Sequence, residues 1–109
     1  MRQMRDFAQE AINLAKGRSH ADIEIDRVFQ LALLHLVQMV GEAANRVPPD
    51  KRPACPEVPW NDIVGMRHRL VHGYDVVDTD LVWRTVTEDL PDLVRILDKL
   101  LPPPGYENW

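Results

Sequence analysis

From Met66 to Tyr74 the chain carries Arg67, His68, Arg69, His72 and Tyr74 with no acid among them. Arginine presents a planar, permanently charged fork that fits a phosphate. Histidine titrates near neutrality and moves protons. A tyrosine just past a helix end offers a hydroxyl on an exposed turn. These are the groups that metal-free cleavage of an RNA phosphodiester requires. One takes the proton of the 2′-hydroxyl, one protonates the leaving oxygen, and a cation holds the phosphate as charge builds. DNA lacks the 2′-hydroxyl, so the route selects RNA.

On an ideal helix, Arg67 and His72 stand about 140° apart, because five steps of about 100° amount to about 500°. Two features relieve the mismatch: His72 adjoins a helix end at Gly73, and a symmetric dimer supplies partners from a second chain. Each residue also has an ordinary reading. Taken alone, Arg67 and Arg69 read first as solvated helix charges, and Tyr74 reads also as a packed ring with a bonded hydroxyl. His68 and His72, four apart, would reach one zinc ion from a single helical face. However, Arg69 stands where a zinc-protease motif has glutamate, so no metal site is expected. The residues alone define an anion or phosphate site.

Charge distribution points to the same segment. The 109 residues carry a formal charge of −4, which argues against coating nucleic acid by bulk attraction. From Asp75 onward the net is −5, against +1 for the first 74 residues. Hydrophobic residues make up 45% and charged residues 28%, the balance of one globular domain. Cys55, the single cysteine, allows no internal disulfide and no cysteine-built zinc site. Met1-Arg2-Gln3-Met4-Arg5-Asp6 has no apolar stretch behind its charges, so no signal peptide is expected and the reducing cytoplasm is the expected compartment. No membrane span and no cofactor are expected either.

Four helical patterns position these groups. The first spans Arg2 to Lys16 and closes at Gly17. Ser19 or Asp22 caps the second, which reaches Arg46 and is apolar around most of its circumference. Such a helix lies central in a bundle, or faces its own core on one side and a second subunit on the other. Prolines 48, 49, 53, 56 and 59 forbid a helix and predict an ordered crossover. The third helix runs from Trp60 or Asn61 to about His72, with Asp62 at its positive end. The fourth starts at Asp78, a predicted N-cap, and is kinked or split by Pro91. No strand is predicted. The fold class is all-α, a dimeric bundle of four or five helices over residues 1–101, with a proline-rich tail at 102–109.

The string Arg67, four residues, His72, Gly73, Tyr74 matches the R-x4-H-x-Y signature of HEPN-fold proteins and resembles the HepT-like ribonuclease toxins. Gly41-Glu42-Ala43, Pro59-Trp60, Ile63 to Arg67, Leu70 to Tyr74, Val82-Trp83 and Leu90-Pro91 extend the similarity over roughly residues 5–100. The resemblance implies a HEPN-type bundle that dimerises and sets two Arg/His pairs around a shared cleft. Arg67 and His72 would then be the catalytic pair of a metal-independent endoribonuclease, with His68 and Arg69 supporting the phosphate. His68 stands where the family often has asparagine. It further implies a nucleotidyltransferase (MntA-like) antitoxin that attaches AMP to Tyr74. The alternative is a non-catalytic helical module that binds and recruits such a nucleotidyltransferase.

The remaining candidates read as structural. His35, inside the apolar second helix, reads as a core or interface histidine, and His20 as an exposed loop residue. Cys55, set among prolines, reads as a free, unreactive thiol. Trp60, Trp83 and Leu90 read as core.

Overall fold

Helix α1, Arg2–Ala15, buries Met4, Ala8, Ala11 and Ala15 at helical spacing. Three of those four are alanines, which let α1 lie close against α3 and α7. Gly17 adopts φ +74°, a conformation side-chain-bearing residues rarely take, and so ends the first helix where expected. The computed structural model describes residues 1–72 and 76–101, without the side chains of Arg67, His68, Val71 and His72.

The four expected helices become seven α-helical segments among the described residues, because the second, third and fourth are each broken once. The second divides into α2, His20–Ile25, and α3, Arg27–Asn45. Ser19 caps α2, its backbone N–H donating to Asp22 Oδ2 at 2.8 Å. Asp26 leaves the helical region (φ −103°, ψ 98°), and its Oδ1 accepts from the Phe29 N–H at 3.1 Å, opening α3. Buried Gln30 donates to the Ile23 carbonyl at 3.1 Å, meeting one of the orphan acceptors at the end of α2.

Arg18 ties this corner together. It reaches Asp22 at 3.4 Å and Asp26 at 2.9 Å while its guanidinium lies 4.0 Å from the Phe29 ring centroid. The Ser19 backbone N–H, and then Arg18, hold the Asp22 carboxyl below the usual aspartate range. The Phe29 N–H, and then Arg18, do the same for Asp26. Because both folded pKa values are lowered, their stabilisation is complete above the ordinary aspartate pKa, about 3.9, and is lost as pH falls through the depressed values. The thermal midpoint, followed by circular dichroism, should therefore decline below about pH 4. An Asp22→Asn/Asp26→Asn double variant should show a shallower decline; an identical slope would refute the link.

The proline crossover is ordered through Trp60. Its buried indole N–H is shared between the Arg52 carbonyl at 3.1 Å and the Cys55 carbonyl at 3.0 Å. A 3-10 turn, Arg52–Ala54, lies within the span that this donor closes. The third helix starts there as expected but breaks at Gly65 into α4, Trp60–Val64, and α5, Met66–Leu70. Gly41 of α3 sits against this pair, since a Cβ there would meet the Ile63 carbonyl oxygen at 3.2 Å. A side chain at Gly41 would push α4 away.

After Leu70 the backbone is extended. Val71–His72 (β1) pairs antiparallel with Val76–Val77 (β2), Val71 opposite Val77 and His72 opposite Val76. The Asp78 N–H donates to the Leu70 carbonyl at 2.8 Å, continuing the pairing by one step. This corrects the expectations of a helix to His72 and of no strand.

Asp78 then caps α6, Thr79–Arg84, as expected, accepting from the Leu81 N–H at 3.0 Å. The π-helical segment Thr85–Asp89 links α6 to α7, Leu90–Leu100. The Leu90 N–H bonds to the Thr85 carbonyl five residues back, so the turn widens just before Pro91. That widening accommodates a residue with no N–H to give, which is how Pro91 interrupts the helix without ending it. Leu33, Leu70, Leu90 and Leu97, at most 1% exposed, form the centre of the core. Each contributes roughly 1.5–3 kcal/mol by leaving water.

Candidate functional site

Met66 and Leu70, four apart, are buried on one side of α5 and fix it to the core. Arg67, His68 and Arg69 occupy the turn between them. Arg69 is exposed and donates to the Asp62 backbone carbonyl. The backbones of Arg67 and His68 belong to α5 and that of His72 to β1, while their side chains lie outside the described residues. Tyr74, with Gly73 and Asp75, also lies outside them.

The helix-to-strand change matters for the chemistry. Helical angles cannot be carried past Leu70, so the 140° separation does not describe Arg67 and His72. The same change removes the single helical face on which His68 and His72 would have shared a zinc ion. The hairpin had a signal in the sequence, namely valines on both sides of a short stretch containing Gly73.

Beside α5 lies a cleft of about 340 Å³ between α4–α5 and α6–α7. Met66, Leu70, Leu90 and Leu93 contribute apolar lining, while Arg69, Arg84, Asp62, Asp89 and Asp92 contribute charge. Arg69 reaches it from the same helix that carries Arg67.

His20, Glu24 and Asp80 form a second cluster with ligand atoms all within 4.8 Å of one another. All three are exposed, and His20 Nε2 lies 2.6 Å from Asp80 Oδ1 and 3.8 Å from Glu24 Oε1. The His20 ring stacks on Trp83 at 6.2 Å between centroids. The three together have the donor types of a cation site, but their arrangement is that of a surface ion-pair network joining α2 to α6. His20 is therefore exposed as expected, although it begins a helix rather than lying in a loop. No sequence spacing links Glu24 to Asp80.

Five structural readings need adjustment or hold. His35 is exposed, not core, and Trp83 is half-buried at the rim. Trp60 and Leu90 are core as expected, and Cys55 is a free thiol. Ile25, Val28 and Leu31 are 80%, 78% and 45% exposed, so part of the apolar excess of the second helical pattern faces outward. Among the described residues, no helix is long and apolar enough to cross a membrane.

Comparison with known proteins fits these observations. The pattern of the family described as Ribonuclease HepT-like matches residues 4–100. A protein named probable ribonuclease HepT from Thermococcus cleftensis is 37% identical over 79 residues, 72% of each chain. Two relatives carry the name "putative RNase". The one from Caldanaerobacter subterraneus subsp. tengcongensis is 32% identical over 90 residues, 83% of this chain and 80% of its own. The one from Methanocaldococcus jannaschii is 26% identical over 96 residues, 88% of this chain and 79% of its own. No solved structure gives a significant match. With nearly the whole helical unit matched, from the buried Met4 of α1 to the end of α7, the chain belongs to the HepT-like ribonuclease family.

Proposed function

We propose that this protein is a metal-independent endoribonuclease and the toxin of a toxin–antitoxin pair, acting on RNA in the cytoplasm as a homodimer. The observation that carries the reading is the family match across residues 4–100, which includes the Arg67-x4-His72-Gly73-Tyr74 string. Arg67 holds the scissile phosphate and stabilises the charge that develops on it, and His72 transfers the proton. Protons must be both taken from the 2′-hydroxyl and given to the leaving oxygen. Two Arg67/His72 pairs across a dimer cleft supply both roles. His68 and Arg69 assist in holding the phosphate. The outward apolar face at Ile25, Val28 and Leu31 supports pairing with a second copy. Cleavage of RNA by the purified protein in EDTA tests the assignment, and an inert wild type would favour the alternative recruiting module.

Regulation follows from Tyr74. A nucleotidyltransferase (MntA-like) antitoxin joins the tyrosine oxygen to the α-phosphate of ATP, releasing pyrophosphate. Each AMP adds a negative phosphodiester two residues from His72, which competes with the RNA backbone for the same cations. Co-expression with the antitoxin should add AMP mass to the wild type and none to Tyr74→Phe, and the variant should remain toxic. Intact-mass spectrometry makes the check, and an unmodified Tyr74 in a neutralised complex would leave steric masking as the mechanism.

A further inference from the structure

Two charged side chains in the cleft beside α5 are unused. Arg84, at the end of α6, and Asp89, at the end of the π-helical segment, are both exposed and line the same cavity. Arg69 is engaged by the Asp62 carbonyl and Asp92 by Arg95. Among the described residues neither Arg84 nor Asp89 has a side-chain hydrogen bond or ion pair. The cavity thus holds one free fork of donors and one free pair of acceptors above an apolar lining. Its volume, about 340 Å³, lies at the small end of ligand pockets.

The lining carries three acids, Asp62, Asp89 and Asp92, against two bases, Arg69 and Arg84. That balance disfavours a second phosphate and favours a neutral ring with polar edges. Single-stranded RNA supplies such rings, since its unstacked bases enter pockets and are read by their edges. Of the four bases, guanine presents two adjacent N–H donors, N1 and N2, on its pairing edge. It also presents two adjacent acceptors, O6 and N7, on the adjoining edge. A carboxylate accepts the first pair, and a guanidinium donates to the second.

The geometry points to a guanine-binding subsite in this cleft, with Asp89 accepting from N1–H and N2–H and Arg84 donating to O6 and N7. It rests on the ribonuclease reading for its purpose: α5 both lines the cleft and carries Arg67, so a base seated there sets which phosphate reaches the reaction centre. Asp89 and Arg84 are specificity-determining residues, separate from the proton-transfer chemistry.

Calorimetric titration of the full chain with GMP, AMP, CMP and UMP tests the subsite directly. GMP should bind about tenfold or more tightly than the others, the scale of one good bidentate base contact. Asp89→Asn, which replaces one acceptor by a donor, should abolish that preference. Arg84→Gln should weaken GMP binding as well, and circular dichroism reports whether both variants fold. Sequencing the ends cut from a random RNA pool should find guanine at a fixed distance from the cut, with the bias reduced in Asp89→Asn. Equal binding of the four nucleotides, no GMP binding at millimolar concentration, or an unchanged preference in Asp89→Asn overturns the subsite. Cleavage that continues without guanine bias does so while leaving the ribonuclease reading intact. Guanine-selective binding by a wild type that cuts no RNA supports the cleft and overturns the ribonuclease reading.

Discussion

Replacing Arg67 or His72 by alanine should lower RNA cleavage by about two to four orders of magnitude, the usual worth of a charge-stabilising donor or a general acid–base. The variants should keep the far-UV spectrum of the wild type, because the neighbouring anchors Met66 and Leu70 hold α5 independently of them. Cleavage by the wild type should survive EDTA and leave 2′,3′-cyclic phosphate and 5′-hydroxyl ends, the products of attack by the RNA's own 2′-oxygen. Growth inhibition on expression should disappear with cleavage. Full activity in both variants, or a strict need for a divalent metal, would remove the reaction from this segment.

A Val28→Glu/Leu31→Glu variant should dissociate the proposed dimer and silence the enzyme without unfolding it. Both side chains are exposed, so the protomer loses little on substitution. In an isologous interface each carboxylate would meet apolar surface and its own symmetry mate. Loss of a central apolar contact typically costs about 2 kcal/mol or more, which weakens dimerisation about thirtyfold. Sedimentation equilibrium should show monomer at micromolar concentration, with cleavage falling in proportion to the dimer fraction. A monomeric variant with wild-type turnover would dismiss the shared cleft.

Residues that act through local chemistry were legible in the sequence. Gly17, Ser19 and Asp78 end or begin helices where their residue types predict, and the indole of Trp60 orders a crossover that its prolines had already marked. The family was legible as well, because the long string around Arg67 and His72 is specific. What escaped was decided by competition between neighbours. Asp26 sits in a stretch that reads as helix interior, yet capping Phe29 and pairing with Arg18 draw it out of the helix. Gly65 and the valines flanking Gly73 convert one expected helix into two short ones and a pair of strands. The cleft was invisible for a different reason: Asp62, Arg69, Arg84 and Asp89 come from segments whose spacing carries no shared pattern.

The widened turn at Thr85–Asp89 also works as a phase adjuster. A turn closed five residues back holds one residue more than the ordinary helical turn, so everything after it is rotated by roughly 100° relative to an uninterrupted helix. The added residue and the added rotation offset each other, and Val82 and Val86, before or within the slip, and Leu90, Leu93 and Leu97, after it, are all buried. Deleting one residue from this segment would restore a regular helix and leave both groups facing the core, because the lost residue and the lost widening offset each other. The rod therefore tolerates losing one residue there, while a deletion elsewhere in α6 or α7 would turn one buried stripe away from the core. Its two halves, one leading from the hairpin and the other locked against α1, behave like a vernier whose single offset keeps both scales aligned.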